Sequence, residues 1–137
     1  VQHSEYNHSK TKAVNFLQIW VFPKNRNIAP RYDQKTFHPE DRRNSWQEVV
    51  SPIESGTGVG INQDAWFYLG NFESGYTTTY SVKRKMNGVY LFVLKGDVTV
   101  HDQALHTRDG MGLWETDQIT VKAYSDAELL LMEVPMY

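Results

Sequence analysis

The chain contains no cysteine in its 137 residues. Disulfides, thiolate-held zinc and thiol catalysis are therefore excluded. No apolar run approaches the ~18 residues needed to span a bilayer, so no membrane partner is expected. Neither sign of charge is in large excess. There are 14 Lys and Arg against 16 Asp and Glu, a formal net charge of −2. A general nucleic-acid binder usually shows a basic excess, so no nucleic acid is expected either. Histidine is scarce, and the five present form no His-x-His and no His-Glu-x-x-His spacing. There is no Gly-x-Ser-x-Gly elbow for a nucleophilic serine. Long helical periodicity is missing as well.

What is present is short apolar alternation, punctuated by Gly and Pro. The aromatic share of 13 % suits an all-β core. The centre is Gly88–His101, GVYLFVLKGDVTVH. Along it Val89, Leu91 and Val93 share one face, and Tyr90, Phe92 and Leu94 share the other. A strand apolar on both faces belongs in the middle of a layered structure. Lys95-Gly96-Asp97 reads as a turn, and Asp97–His101 resumes with Val98 and Val100 inward, which together predicts a hairpin.

Other strands are expected at Asn15–Phe22, Trp46–Val50, Ala65–Leu69, Gly75–Val82, Leu113–Glu115, Ile119–Ala123 and Leu129–Val134, with a short extended piece at Tyr32–Phe37. His38–Arg43 reads as one helical turn, with Pro39 at its first position. Asp109–Gly112 reads as a turn. Gly56, Gly58 and Gly60 lack the Lys-Ser/Thr and the helix that a phosphate loop requires, so they read as a turn too. Eight or nine short strands at close spacing predict an all-β sandwich or barrel.

Few residues offer chemistry. His3 and Glu5 lie two apart, which in an extended chain puts both on one face, about 6.6–6.8 Å apart along the strand. An imidazole and a carboxylate can be two ligands of a divalent metal, but a stable site needs three or four. His8, His38, His101 and His106 read as surface residues. Glu40/Asp41 and Asp126/Glu128 read as solvated carboxylates, and Arg42-Arg43 and Lys83-Arg84-Lys85 as solvated basic turns.

The opening HSEYN and the block LQIWVFPKNRNIAPRYDQKTF resemble pirin-like proteins of the cupin superfamily. So do, in order, VVSP, INQDAWFYLG, VYLFVLKGDVTV, LHTRDGMGLWE and AELLLMEVP. The resemblance covers nearly the whole chain and is most specific from Gln18 to Phe37. It implies a cupin-type β-sandwich or jelly-roll barrel with at most one short helical turn. Pirin-like proteins are two tandem barrels with one metal, usually iron, in the N-terminal barrel, held by a His-x-His pair and a later His-x-Glu pair. His3 and Glu5 match the later pair, and the earlier pair has no counterpart here.

The resemblance thus implies that residues 1–14 are the remnant of a preceding cupin domain and a connector, and 15–137 the C-terminal cupin domain. The opening Val-Gln-His-Ser-Glu, without Met or an evident leader, fits that expectation. In a metal-binding cupin, ligands fall at positions that here hold Val82, Arg84 and Gly88/Val89, and on a second motif that is Asp109–Trp114 here. None of these is suitable. The chain alone is therefore expected to carry no cofactor, with iron or another divalent metal in the intact protein.

Three functions compete. The first is part of a quercetin 2,3-dioxygenase-like enzyme, inactive when alone. The second is a non-enzymatic interaction module, as some family members are transcription cofactors. The third is a free-standing small-molecule cupin. A cytoplasmic location, the N-terminal cupin half as partner, and homo-oligomerisation through an exposed inter-barrel surface are further expectations.

Overall fold

The computed structural model describes residues 3–136. It divides into an arm without ladder pairing, residues 3–38, and a β-barrel. A 3-10 turn, Pro39–Arg42, joins them, with Pro39 leading and Glu40 and Asp41 in the first turn as its sequence predicts.

The strands are β1 (Trp46–Pro52), β2 (Val59–Ile61), β3 (Trp66–Phe72), β4 (Thr77–Ser81), β5 (Asn87–Lys95), β6 (Val98–Val100), β7 (Gln103–Leu105), β8 (Gly110–Leu113), β9 (Gln118–Ala123) and β10 (Ala127–Pro135). They form two sheets, in the orders β2-β1-β3-β10-β5-β8 and β4-β9-β6-β7. All pairings are antiparallel except β1–β2. From β3 onward the chain changes sheet at every connection but β6–β7, the weave of a jelly roll. The all-β, cupin-type expectation is borne out.

The core lies between the sheets. Tyr68, Phe72, Val89, Leu91, Val93, Leu129 and Leu131 of the large sheet meet Tyr80, Val98, Val100, Ile119, Val121 and Ala123 of the small one. Alternation explains the small sheet directly. In β9 every second residue, Ile119, Val121 and Ala123, is buried, and those between are exposed.

Four expectations need correction. First, β5 and β6 do not form a hairpin. β5 pairs with β10 and β8, whereas β6 pairs with β7 and β9 in the other sheet. Gly96 is therefore a corner between sheets. Its φ is +94°, and a Cβ there would stand 2.5 Å from the Asp126 carbonyl oxygen and 2.8 Å from Ala127 Cα. A turn signature identifies a bend but not whether the strands beyond it pair.

Second, β5 is buried on one face only. Val89, Leu91 and Val93 are in the core, but Tyr90 is 43 % exposed, and Phe92 and Leu94 are half-covered. Third, Gly110–Leu113 is an edge strand on β5, not a turn. Fourth, Asn15–Phe22 makes no ladder. Phe16, Leu17, Ile19, Trp20 and Phe22 stand exposed, and Val21 alone of its large apolar residues packs on the barrel.

The arm is nonetheless anchored. Val21 and Phe37 cover part of the outer face of the large sheet, over Val49, Ala65 and Phe67. The Lys24 N–H donates to the Asn62 carbonyl at 2.7 Å, and the Gln63 amide donates to the Phe22 carbonyl at 2.8 Å. Lys35 donates to the carbonyls of Thr57 and Gly58 at 2.8 and 2.9 Å. No helix among the described residues is long and apolar enough to cross a membrane.

Candidate functional site

Two places carry groups that could do chemistry, one on the arm and one inside the barrel. On the arm, extended backbone brings His3 and Glu5 together. Nε2 of His3 lies 3.2 Å from Oε1 of Glu5, and their side chains are 60 % and 54 % exposed. They border an open hollow whose far wall is Leu17–Val21. The pair offers one imidazole nitrogen and one carboxylate to a cation. Among the described residues, no group of three or more His, Cys, Asp or Glu is placed to hold a metal. A metal of the kind the resemblance implies does not fit this donor set, which is two ligands short of a stable site.

The remaining histidines are dispersed. His8 is exposed, and His38 lies 3.9 Å from Glu40. His101 is an exposed turn residue with φ +45°, just beyond the end of β6. His106 pairs with Asp97 at 2.7 Å, and that bond raises its pKa above the usual imidazole value.

Inside the barrel, Val82 packs against the core, Val89 is buried, and Arg84 turns outward to Asp64. The polar group within is one the sequence reading passed over. Glu133 is 0 % exposed. It shares the inward face of β10 with Leu129 and Leu131, which are equally buried. A carboxylate so placed needs compensation. Oε2 accepts from the Tyr80 hydroxyl at 2.6 Å and the Lys83 N–H at 2.8 Å. Oε1 accepts from the Arg84 N–H at 3.0 Å and the Asn87 side-chain amide at 2.7 Å. Four donors meet two oxygens, so both carboxyl oxygens are satisfied by hydrogen bonds.

Beside it, Tyr68 and Tyr80 pack with ring centroids 5.2 Å apart. The Tyr68 hydroxyl donates to Oε2 of Glu48 at 3.1 Å. Burial first, then the neighbouring carboxylates, push both phenols well above their ordinary pKa. Glu48 is held below the usual carboxylate range. Burial opposes its charge, but the Thr57 N–H, at 2.7 Å, and the Tyr68 hydroxyl outweigh it. A lone charged residue on the inward parity of an apolar strand was the signal that could have located this cluster.

This barrel matches the family model of the quercetinase C-terminal cupin domain over residues 48–134, from β1 through β10. The chain belongs to that family. The quercetin 2,3-dioxygenase of Escherichia coli K12 is 32 % identical over 135 residues, which is 98 % of this chain and 57 % of that protein. A pirin-like protein of Caulobacter vibrioides is 32 % identical over 134 residues, 97 % of this chain and 57 % of its own length. The chain thus spans little more than half of these relatives.

Among solved structures, YhhW from Escherichia coli superposes with a TM-score of 0.76 at 28 % identity, covering 85 % of this chain and 48 % of YhhW. A structure of the same bacterial pirin in complex with nickel(II) gives 0.74, over 82 % and 47 %. The family model begins at residue 48, so His3, Glu5 and the arm lie outside it, while the pairwise likeness to relatives takes in nearly all of the chain. For this quercetinase-type cupin, the matched region is the barrel with the hydrogen-bonded Glu133.

Proposed function

We propose that the chain serves as the barrel without a metal centre in a pirin-like, quercetin 2,3-dioxygenase-type protein. It contributes His3 and Glu5 to a site for iron or another divalent metal that is completed by ligands from a second barrel. Alone it turns over no flavonol. The observation that carries this reading is the donor inventory: two ligands stand on the arm, the fully buried Glu133 of the barrel is already met by four hydrogen-bond donors, and Glu48 is held by Tyr68 and Thr57.

Titrating nickel(II) and iron(II) into the chain, and following quercetin by its absorbance, tests it. The expected result is less than one metal bound per chain, with the weak binding lost in a His3→Ala, Glu5→Ala variant, and no consumption of quercetin. One metal held per chain, or quercetin opened by the chain alone, overturns the proposal.

A second reading, an interaction module, has its own support in the exposed apolar side chains of the arm. Phe16, Leu17, Ile19, Trp20 and Phe22 present more apolar surface than a polar linker would. On this reading the chain self-associates through that surface. Light scattering over a concentration series should show a rising mass, and a constant monomer mass at high concentration contradicts it.

A further inference from the structure

We infer that Glu133 is a positioning residue: from inside the barrel it fixes the β4–β5 turn, and through that turn it mounts the arm that carries His3 and Glu5. Its bearing on a metal site rests on the function proposed above; the coupling between Glu133 and the arm does not.

The donors to Glu133 all come from one short segment, the end of β4, the turn after it and the start of β5. Tyr80 lies on β4, Lys83 and Arg84 offer adjacent backbone N–H groups, and Asn87 opens β5. Two successive N–H groups aimed at one carboxylate form a concave anion-binding arrangement that fixes the intervening peptide planes. The direction in which Arg84 leaves the backbone follows. Its guanidinium pairs with Asp64, and Asn87, while held by Glu133, also reaches the Asp64 carbonyl at 3.5 Å.

Asp64 is the next link. Its carboxylate also takes Lys24, with Nζ 3.0 Å from Oδ2, and the Lys24 bond leads the causes that hold its pKa below the usual range. Residues just before it grip the backbone of the arm, Gln63 with its side-chain amide. Asn62 accepts from the Lys24 N–H, and Gln63 donates to the Phe22 carbonyl. Val21 is seated on the barrel immediately ahead, and it ends the wall of the hollow that His3 and Glu5 border. The connected path runs from Glu133 through Arg84 and Asn87 to Asp64, then to Phe22–Lys24. It joins a fully buried carboxyl group to an arm that makes no ladder of its own.

Limited trypsin digestion, read by mass spectrometry at Lys24, Arg26 and Arg31, measures the arm. Hydrogen exchange at the Lys83 and Arg84 amides measures the turn, and thermal unfolding measures the whole barrel. Glu133→Gln keeps the shape but leaves one acceptor oxygen, so whichever of the Lys83 and Arg84 N–H groups faces the new side-chain NH2 should exchange at least about ten-fold faster, as expected for a lost buried hydrogen bond. Arm cleavage should rise with it.

Arg84→Met leaves Glu133 and its donors intact. It should accelerate arm cleavage about two- to five-fold, the range of a single exposed ion pair. Exchange at Lys83 and Arg84 and the unfolding midpoint should stay unchanged, and Arg84→Lys should restore most of the protection. Arm cleavage at the wild-type rate in Arg84→Met overturns the coupling, whether or not Glu133→Gln folds. Unchanged amide exchange in a folded Glu133→Gln overturns the role of Glu133. Neither measurement uses metal or quercetin, so its failure is distinct from failure of the proposed function.

Discussion

Asn15–Phe22 and Gly88–Lys95 carry the same kind of sequence, apolar on both alternating faces, yet they end in opposite conditions. The second is β5, paired on both sides by β10 and β8, with Leu91 fully buried. The first makes no ladder, and Trp20 within it is 82 % exposed. Alternation states that a segment can lie on a sheet and gain by burial. It does not supply the neighbour. For β5 the neighbours lie within the same barrel, at ranges in sequence that the weave brings together. For Asn15–Phe22, the described residues provide only Val21 with a seat.

The largest effect that would break this contrast is expected in the barrel centre. Leu131 sits on β10 between Tyr68 of β3 and Leu91 of β5, with no exposed surface. Leu131→Ala should cost about 2–5 kcal/mol, the range for a buried leucine that leaves a cavity. Trp20→Ala removes a larger side chain but should change stability by no more than about 0.5 kcal/mol, because the ring is already in water. Urea unfolding of the two variants measures both. Equal losses would mean that the arm is part of the folding core after all.

Next in size is the corner that separates β5 from β6. Gly96→Ala must place a Cβ against the Asp126 carbonyl at φ +94°. The strained backbone and the overpacking together should cost about 2–4 kcal/mol by the same measurement. A neutral outcome would mean that the corner can shift without loss, and that the two sheets are less firmly joined there than the contacts indicate.

The fold class was legible because β-alternation is local. β9 reads correctly residue by residue, and so does the 3-10 turn with Pro39 at its start. Pairing was not legible, because it is not local. Nothing in VLKGDVTV distinguishes a hairpin turn from a corner at which the chain leaves one sheet for the other. The spacing of His3 and Glu5 did place them side by side, since extended backbone puts residues two apart on one face. Glu133 was overlooked for the opposite reason. An apolar run attracts attention to its leucines, whereas the informative residue was the charge on their parity. Its four donors come from residues 80–87, some fifty positions away, and only the fold brings them to it.

That cluster gives the third prediction. Tyr80→Phe keeps the ring that packs against Tyr68 and Trp46 but removes the hydroxyl that donates to Glu133. A buried carboxylate loses one of four partners, and about 1–3 kcal/mol should follow. Tyr68→Phe is the sharper control, because its hydroxyl serves Glu48, which keeps the Thr57 and Gly58 N–H groups as donors. The ratio of the two losses reports how much more a fully buried carboxylate depends on each donor than a partly exposed one.

The smallest expected effect lies at the barrel's rim. His106 bonds Asp97 at 2.7 Å, and its backbone N–H donates to Asp109 at 2.9 Å, so it links the Gly96 corner to the turn before β8. Asp97, and behind it Asp109, favour the protonated ring and raise its pKa above 6.5 in the folded chain. A raised folded pKa means that the pairing stabilises the protein in full below the unfolded value of about 6.5, and that this contribution fades as pH rises through the higher folded value. The ring is well exposed and solvent screens the pair, so the decline should be shallow and should shrink further in salt. Thermal midpoints across pH 5.5 to 8.5, for the chain and for His106→Gln, isolate it, because only their difference carries the histidine. A difference that grows with pH would reverse the sign, and would mean that Asp97 is not the partner that matters at that corner.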